Sequence, residues 1–193
     1  MTTWHWVRHG PTHEKTFVGW RDVPADLSDH AQIARLSDHL PKRAVLVSSD
    51  LVRCVKTADA LQTPDRQRLP HHQNLREMHF GDWDGRHFAD VAETDPDLSR
   101  AYWETPGDVQ APGGESWNQA AQRVQLSVDQ LNTEHPEADI IAVAHFGVIL
   151  TQIQRALGQD AAQVLAHKID NFAVTRLTHQ NGSWGCAVIN HLP

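Results

Sequence analysis

The sequence predicts an α/β domain with a largely parallel sheet. Three observations carry this expectation. Short apolar runs of strand type alternate with helical patterns along the chain. Two of the runs, Ala44-Val45-Leu46-Val47 and Asp139–Ala144, are continuously apolar or nearly so, as buried strands are. Each leads directly into a helical pattern. In sheets of this kind ligands bind beyond the carboxyl ends of the strands. Three such ends carry chemically useful residues: Arg8-His9, Ser48-Ser49 and His145.

In chain order, Thr3–Val7 reads as the first strand. Ser28 is the expected cap of a helix with Ile33, Leu36 and Leu40 on one face. Ser48-Ser49-Asp50 lead from the second strand into a helix ending near Leu61. The stretch from about His79 to Gly114 is rich in Trp, Pro, Gly and Asp. It is expected to be an irregular excursion over the active site. Ser116 and Gln119 form a capping-box pattern before a helix on which Trp117, Ala121, Val124, Val128 and Leu131 share a face. Asp139–Ala144 is a strand and Phe146–Leu157 the helix after it. Ala173–Thr178 and Cys186–His191 are expected strands joined around the turn signal Asn181-Gly182. One domain over residues 1–193 accounts for all of this.

The composition is that of an ordinary globular chain, with 40% hydrophobic and 21% charged residues. A net charge of −7 argues against a nucleic-acid or anionic-membrane partner. It does not argue against a small anion, because a few arginines can reverse the field inside a pocket. No apolar run approaches membrane-spanning length, and Met1-Thr2-Thr3-Trp4 does not resemble a secretory signal. Cys54 and Cys186 match no metal or redox spacing. A reducing, cytoplasmic setting is the expectation.

Five residues carry candidate chemistry: Arg8, His9, Arg53, Glu77 and His145. An arginine presents a planar fork of donors that matches phosphate oxygens, and a histidine acts as base or nucleophile near neutral pH. Taken singly, each has a structural alternative. Arg53 reads as a solvated helix arginine, Glu77 as a surface carboxylate and His145 as a hydrogen-bonded residue at a strand end.

Several blocks together resemble the histidine phosphatase superfamily, the phosphoglycerate-mutase-like proteins. They are Val7-Arg8-His9-Gly10-Pro11-Thr12, Gly19-Trp20-Arg21-Asp22 and the Ser48–Ala58 segment that contains Arg53 and Thr57. Leu75-Arg76-Glu77 with Gly81–Gly85, Pro112–Ser116, and Ala144–Ile149 complete the series, in family order. The resemblance implies a three-layer α/β/α fold with a mostly parallel central sheet. It also implies a phosphatase that uses no cofactor and no metal, acting on a small-molecule phosphate ester. The form of the middle segment looks most like α-ribazole-phosphate-type and broad small-molecule phosphatases.

In the mechanism the resemblance implies, His9 attacks phosphorus and becomes a phosphohistidine. A backbone carbonyl on the other ring nitrogen would fix its tautomer. Arg8, Arg53 and a donating His145 would bind the non-bridging oxygens, and Glu77 would protonate the leaving alkoxide. Thr12, Lys15, Phe146 and Gly147 are the implied substrate contacts. The chain departs from the family pattern at four places. Pro11 stands where Glu is frequent, Lys15 where Asn is often found, Phe146 at a common Gly, and Leu150 where a basic residue sometimes occurs.

Three rival readings compete. His5, His9 and His13 are spaced four apart, a metal-ligand spacing on a helix, but Gly10-Pro11 breaks any helix there. A mutase-type phosphotransferase would need a longer, more basic middle insertion than one holding only Arg86 and Arg100. A non-catalytic binding module would be expected to lack one of the five residues. A homodimer is left open.

Overall fold

The computed structural model describes residues 1–193. Its strands are β1 (Thr2–Arg8), β2 (Ala44–Ser48), β3 (Arg66–Arg68), β4 (Asp139–Ala144), β5 (Val174–Gln180) and β6 (Ser183–His191). Its helices are α1 (His30–His39), α2 (Val52–Ala60), α3 (Phe88–Thr94), α4 (Pro96–Glu104), α5 (Trp117–Glu134), α6 (Phe146–Leu157) and α7 (Ala161–Val164). The strands form one sheet in the order β3-β2-β4-β1-β5-β6. The first four positions are mutually parallel, β5 pairs antiparallel with β1, and β6 pairs antiparallel with β5. The mostly parallel α/β architecture expected from the sequence is the one observed.

Strand alternation sorts the core into two layers. Val7, Leu46, Ile141 and Val143 project to one face, against Leu36 and Leu40 from the α1 segment and Cys54 and Ala58 of α2. Trp4, Trp6, Val45, Val47, Ile140 and Ala142 project to the other, against Val124 and Val128 of α5 and Ile149 and Ile153 of α6. The second cluster holds 28 buried residues and the first 11, so most apolar burial lies on the α5–α6 side. Trp4 and Trp6, two residues apart on one strand face, stack at 5.0 Å.

The register at the centre of the sheet places the site. Arg8 of β1 pairs with Ala144 of β4. The next residues, His9 and His145, therefore leave the sheet side by side, with ring centroids 5.1 Å apart.

Several elements differ from expectation. The cap of α1 is Asp29, whose carboxylate accepts from the Gln32 N–H at 2.9 Å. The Ser28 N–H instead bonds Asp26. β3 is a three-residue Arg-Gln-Arg strand at the sheet edge, too short and polar to show a period. The 79–114 excursion is more ordered than its composition suggests, for it contains α3 and α4, with Pro96 opening α4. Gly81 anchors it at φ +53°, where a Cβ would lie 2.0 Å from the Pro112 carbonyl oxygen. β6 starts at Ser183 rather than Cys186.

The Ser116 capping box forms as expected. Ser116 Oγ accepts from the Gln119 N–H at 3.2 Å, and Gln119 Oε1 accepts from the Ser116 N–H at 3.0 Å. Ser116 is buried, so water cannot replace the lost acceptor. Ser116→Ala is expected to lower the unfolding free energy by about 1 kcal/mol in urea denaturation; an unchanged midpoint would show that the box contributes nothing.

Candidate active site

The C-terminal ends of β1 and β4 open into a cavity of about 330 Å³ lined by Arg8, His9, Arg53 and Glu77, among others. These four come from distant segments of the chain. Each is held by backbone groups rather than by other charged side chains.

His9 is buried, and its Nδ1–H donates to its neighbour Gly10's carbonyl at 2.7 Å. That bond fixes the neutral tautomer and leaves Nε2 with a free lone pair. Burial, followed by the Arg53 guanidinium, holds the His9 pKa well below the usual imidazole range. The main chain around it is fixed as well. The His9 N–H reaches the Ala144 carbonyl, the Gly10 N–H reaches Thr57 Oγ1, and Asn171 donates to the His9 carbonyl.

Arg53 sits in the first turn of α2, whose leading Val52 N–H is capped by Asp22. The guanidinium is 1% exposed. It donates to the Arg21 and Gly19 carbonyls at 3.0 and 2.7 Å, and through Nε to His145 Nδ1 at 3.2 Å. One N–H on each terminal nitrogen is left over. Arg8 donates to the Ile169 carbonyl at 2.6 Å, while its buried Nε has no partner within the protein. Burial of two cations beside one cavity is costly unless an anion completes their coordination. Unfilled guanidinium donors at this point suit a phosphate.

Glu77 is buried at the inner side of the cavity. Behind it lies a tight apolar recess walled by Met78, Trp117 and Leu165. Burial raises its carboxyl pKa, opposed by the Met78 N–H, by Arg53 and by the Gly147 N–H. The Gly147 N–H, at the start of α6, reaches Glu77 Oε1 at 3.1 Å. A Cβ on Gly147 would lie 2.6 Å from that oxygen, so only glycine permits this approach.

The main chain of Glu77 is clamped from outside. Arg123 donates to the carbonyls of Asn74, Arg76 and Glu77, and forms a bidentate pair with Glu115 at 2.8 Å. Trp20 Nε1 also donates to the Glu77 carbonyl, at 2.7 Å.

Three expected contacts need correction. His145 is fully buried and does not line the cavity. Its Nδ1 accepts from Arg53, which forces the proton onto Nε2, and that nitrogen faces Cys54 Sγ at 3.3 Å. Both ring nitrogens have a partner within the protein, and one of them supports Arg53. Lys15 is exposed and outside the lining. Its neighbours Glu14 and Thr16 do line the cavity, as does Thr12. Gly147 holds Glu77, as above, and is absent from the main cavity's lining.

Thr12 and Phe146 do line the cavity. So do Glu14, Thr16, Phe17, Phe80 and Phe88, which the sequence did not single out. Nothing in their spacing marks them, because they converge only when the excursion folds over the strand ends. Trp103 lines the cavity, whereas Trp20 and Trp83 do not. Trp20 packs against Arg76 and His79, and Trp83 is buried with its Nε1 on Asp95. His5, His9 and His13 do not converge: His5 bonds Asp139 and His13 bonds Asp26. No helix is long and apolar enough to cross a membrane.

The sequence profile of the histidine phosphatase superfamily (branch 1) matches residues 5–192. The chain is 30% identical over 194 residues to an adenosylcobalamin/alpha-ribazole phosphatase of Escherichia coli, a match covering 95% of this chain and 88% of that one. It is 32% identical over 143 residues to a bifunctional protein of Mycobacterium tuberculosis, covering 72% of this chain but 36% of that protein. Here the chain spans about a third of its relative's length. Among solved structures, a mycobacterial glucosyl-3-phosphoglycerate phosphatase complexed with VO3 superposes with a TM-score of 0.84 at 28% identity, covering 98% of both chains.

The His9 geometry has a direct spectroscopic consequence. In ¹⁵N NMR, His9 is expected as the Nδ1–H tautomer, with protonation only well below the usual imidazole range. A ring that titrates near the ordinary value, or that carries its proton on Nε2, would contradict the placement.

Proposed function

The chain belongs to the histidine phosphatase superfamily, and from that premise we propose that it is a phosphomonoesterase of small phosphorylated metabolites that works through a phosphohistidine on His9 and needs no metal. The observation that carries the proposal is the free Nε2 lone pair of a neutral His9, set beside Arg8 and Arg53 in one cavity.

Nε2 attacks phosphorus in line with the leaving oxygen. The N–P bond forms as the P–O bond breaks. The spare donors of Arg8 and Arg53 take the non-bridging oxygens, where negative charge sits throughout transfer. Glu77, whose proton affinity burial raises, gives its proton to the departing alkoxide. Its carboxylate then removes a proton from water, which attacks the phosphohistidine and releases inorganic phosphate. The tight contact with Gly147 and the Arg123 clamp keep the carboxyl aimed across both steps. His145 holds Arg53 from behind. A cytoplasmic setting is supported by two free cysteines far apart in sequence.

The pH dependence follows in sign. The first step needs protonated Glu77 and neutral His9. Glu77's pKa is raised, so kcat/KM falls as pH rises through it. His9's pKa is lowered, so the acid limb is reached only well below its usual value. The profile should be a bell whose alkaline limb is set by Glu77 and whose acid limb is set by His9.

Two experiments test this reading. His9→Ala should abolish hydrolysis of p-nitrophenyl phosphate, and EDTA should leave the wild-type rate unchanged; full activity in His9→Ala would remove the mechanism. Glu77→Gln should lower kcat/KM for alkyl esters by ~10²–10⁴-fold, lower that for p-nitrophenyl phosphate much less, and flatten the alkaline limb. Equal slowing of both substrates would take Glu77 out of the acid role.

A further inference from the structure

We propose that the ester taken by this site carries a compact aromatic group and no second anionic group. The inference rests on the phosphatase reading and specifies the leaving-group side of the same cavity.

Beyond the phosphate end, the lining is aromatic. Phe146 lies nearest that end, with the Arg8 guanidinium 5.6 Å from its ring centroid. Phe17, Phe80, Phe88 and Trp103 continue the surface as one contact cluster. Phe17 meets Phe88 at 4.3 Å and Phe80 at 5.0 Å, and Trp103 lies 6.1 Å from Phe17 and 6.3 Å from Phe80. Phe88 is 54% exposed, an unusual state for a large apolar ring. Its position on the cavity gives the exposure a use: the ring is left open where a ligand ring can cover it. Offset or edge-to-face contact with such a wall favours a flat π-system over an alkyl chain of equal size. The volume of about 330 Å³ lies at the small end of ligand pockets and suits a phosphate with one compact ring system.

The charges around this wall point the same way. Arg8 and Arg53 are committed to the phosphate. The other nearby cations already have partners. Arg21 is bonded to Glu14, Thr16 and Asp84. Arg86 is held by Thr94 and Asp95. Lys15 is exposed and is not among the cavity's lining residues. The charged group on the leaving-group side is the Glu14 carboxylate. A carboxylate or second phosphate on the substrate would find no free cation and would meet Glu14. The hydroxyls of Thr12 and Thr16 can still receive neutral polar groups.

Aryl esters would confound a test, because phenols leave more easily than alcohols. The experiment therefore compares alkyl esters of similar leaving-group basicity: 2-phenylethyl phosphate, propyl phosphate, 2-phosphoglycolate and 3-phosphoglycerate. We expect kcat/KM for 2-phenylethyl phosphate to exceed that for propyl phosphate by about tenfold or more, from the added apolar burial. The two anionic esters should fall below propyl phosphate. Phe88→Ala, which alters an exposed side chain, should narrow the aromatic preference. Glu14→Gln, which removes the carboxylate, should raise kcat/KM for 3-phosphoglycerate several-fold relative to 2-phenylethyl phosphate. Equal values for the phenylethyl and propyl esters, or a preference for an anionic ester, would overturn the proposal while leaving the phosphatase reading intact. If no ester is hydrolysed in a His9-dependent way, the phosphatase reading fails. Calorimetry with 2-phenylethylphosphonate against propylphosphonate then decides the ligand class: tighter binding of the phenyl compound sustains it, and equal binding overturns it.

Discussion

A histidine can take up phosphate only if one ring nitrogen is unprotonated and points at phosphorus. Here the bond from His9 Nδ1–H to the Gly10 carbonyl supplies that condition within two adjacent residues. It would be of little use if the ring became protonated, and burial beside Arg53 and Arg8 disfavours this. The same arginines that lower the imidazole pKa are the ones placed to receive the phosphate oxygens. In the proposed mechanism one electrostatic arrangement thus favours a neutral His9 and draws the anion toward it. The sheet makes the arrangement possible, since the Arg8–Ala144 register fixes the strand end from which His9 emerges.

The cost of this arrangement is two guanidinium groups held out of water. The protein offsets it with backbone carbonyls. Arg53 uses those of Gly19 and Arg21, and Arg8 uses that of Ile169. Carbonyls satisfy donors without neutralising the charge, so the positive potential survives for the ligand. An acidic partner at either arginine would have cancelled it. Acidic groups are kept at one remove: Glu115 pairs with Arg123, which grips the Glu77 main chain, and Asp50 pairs with Arg76. Glu77, the carboxyl inside the site, is held largely out of water, which favours its protonated form.

The parts of this design that depend on local pattern were legible in the sequence. β4 and α6 are a continuous apolar run followed by a helical pattern, and the Ser116 box is a two-residue code. Arg8, His9, Arg53 and Glu77 stood out through the blocks that contain them, and the fold brings them to one cavity. Distant convergence was not legible. Phe17, Phe80 and Phe88 have no shared period, yet they meet at 4.3 to 5.0 Å once the excursion closes. Lys15 looked like a ligand from its position in the motif, but it is exposed and lies outside the cavity's lining. His145 sits at the expected strand end. Its engagement by Arg53 and Cys54 changes its task, and no spacing rule could show that. β3 was hidden because three polar residues at a sheet edge carry no hydrophobic signal.

The central claim is that phosphate passes through Nε2 of His9. Rapid acid-free quenching of the enzyme with ³²P-labelled substrate, followed by site mapping, tests it most directly. The account predicts a phosphoprotein that is stable in base and labile in acid, with the label on His9 Nε2. Turnover with no labelled protein under single-turnover conditions, or an acid-stable label on a serine or threonine, would contradict it.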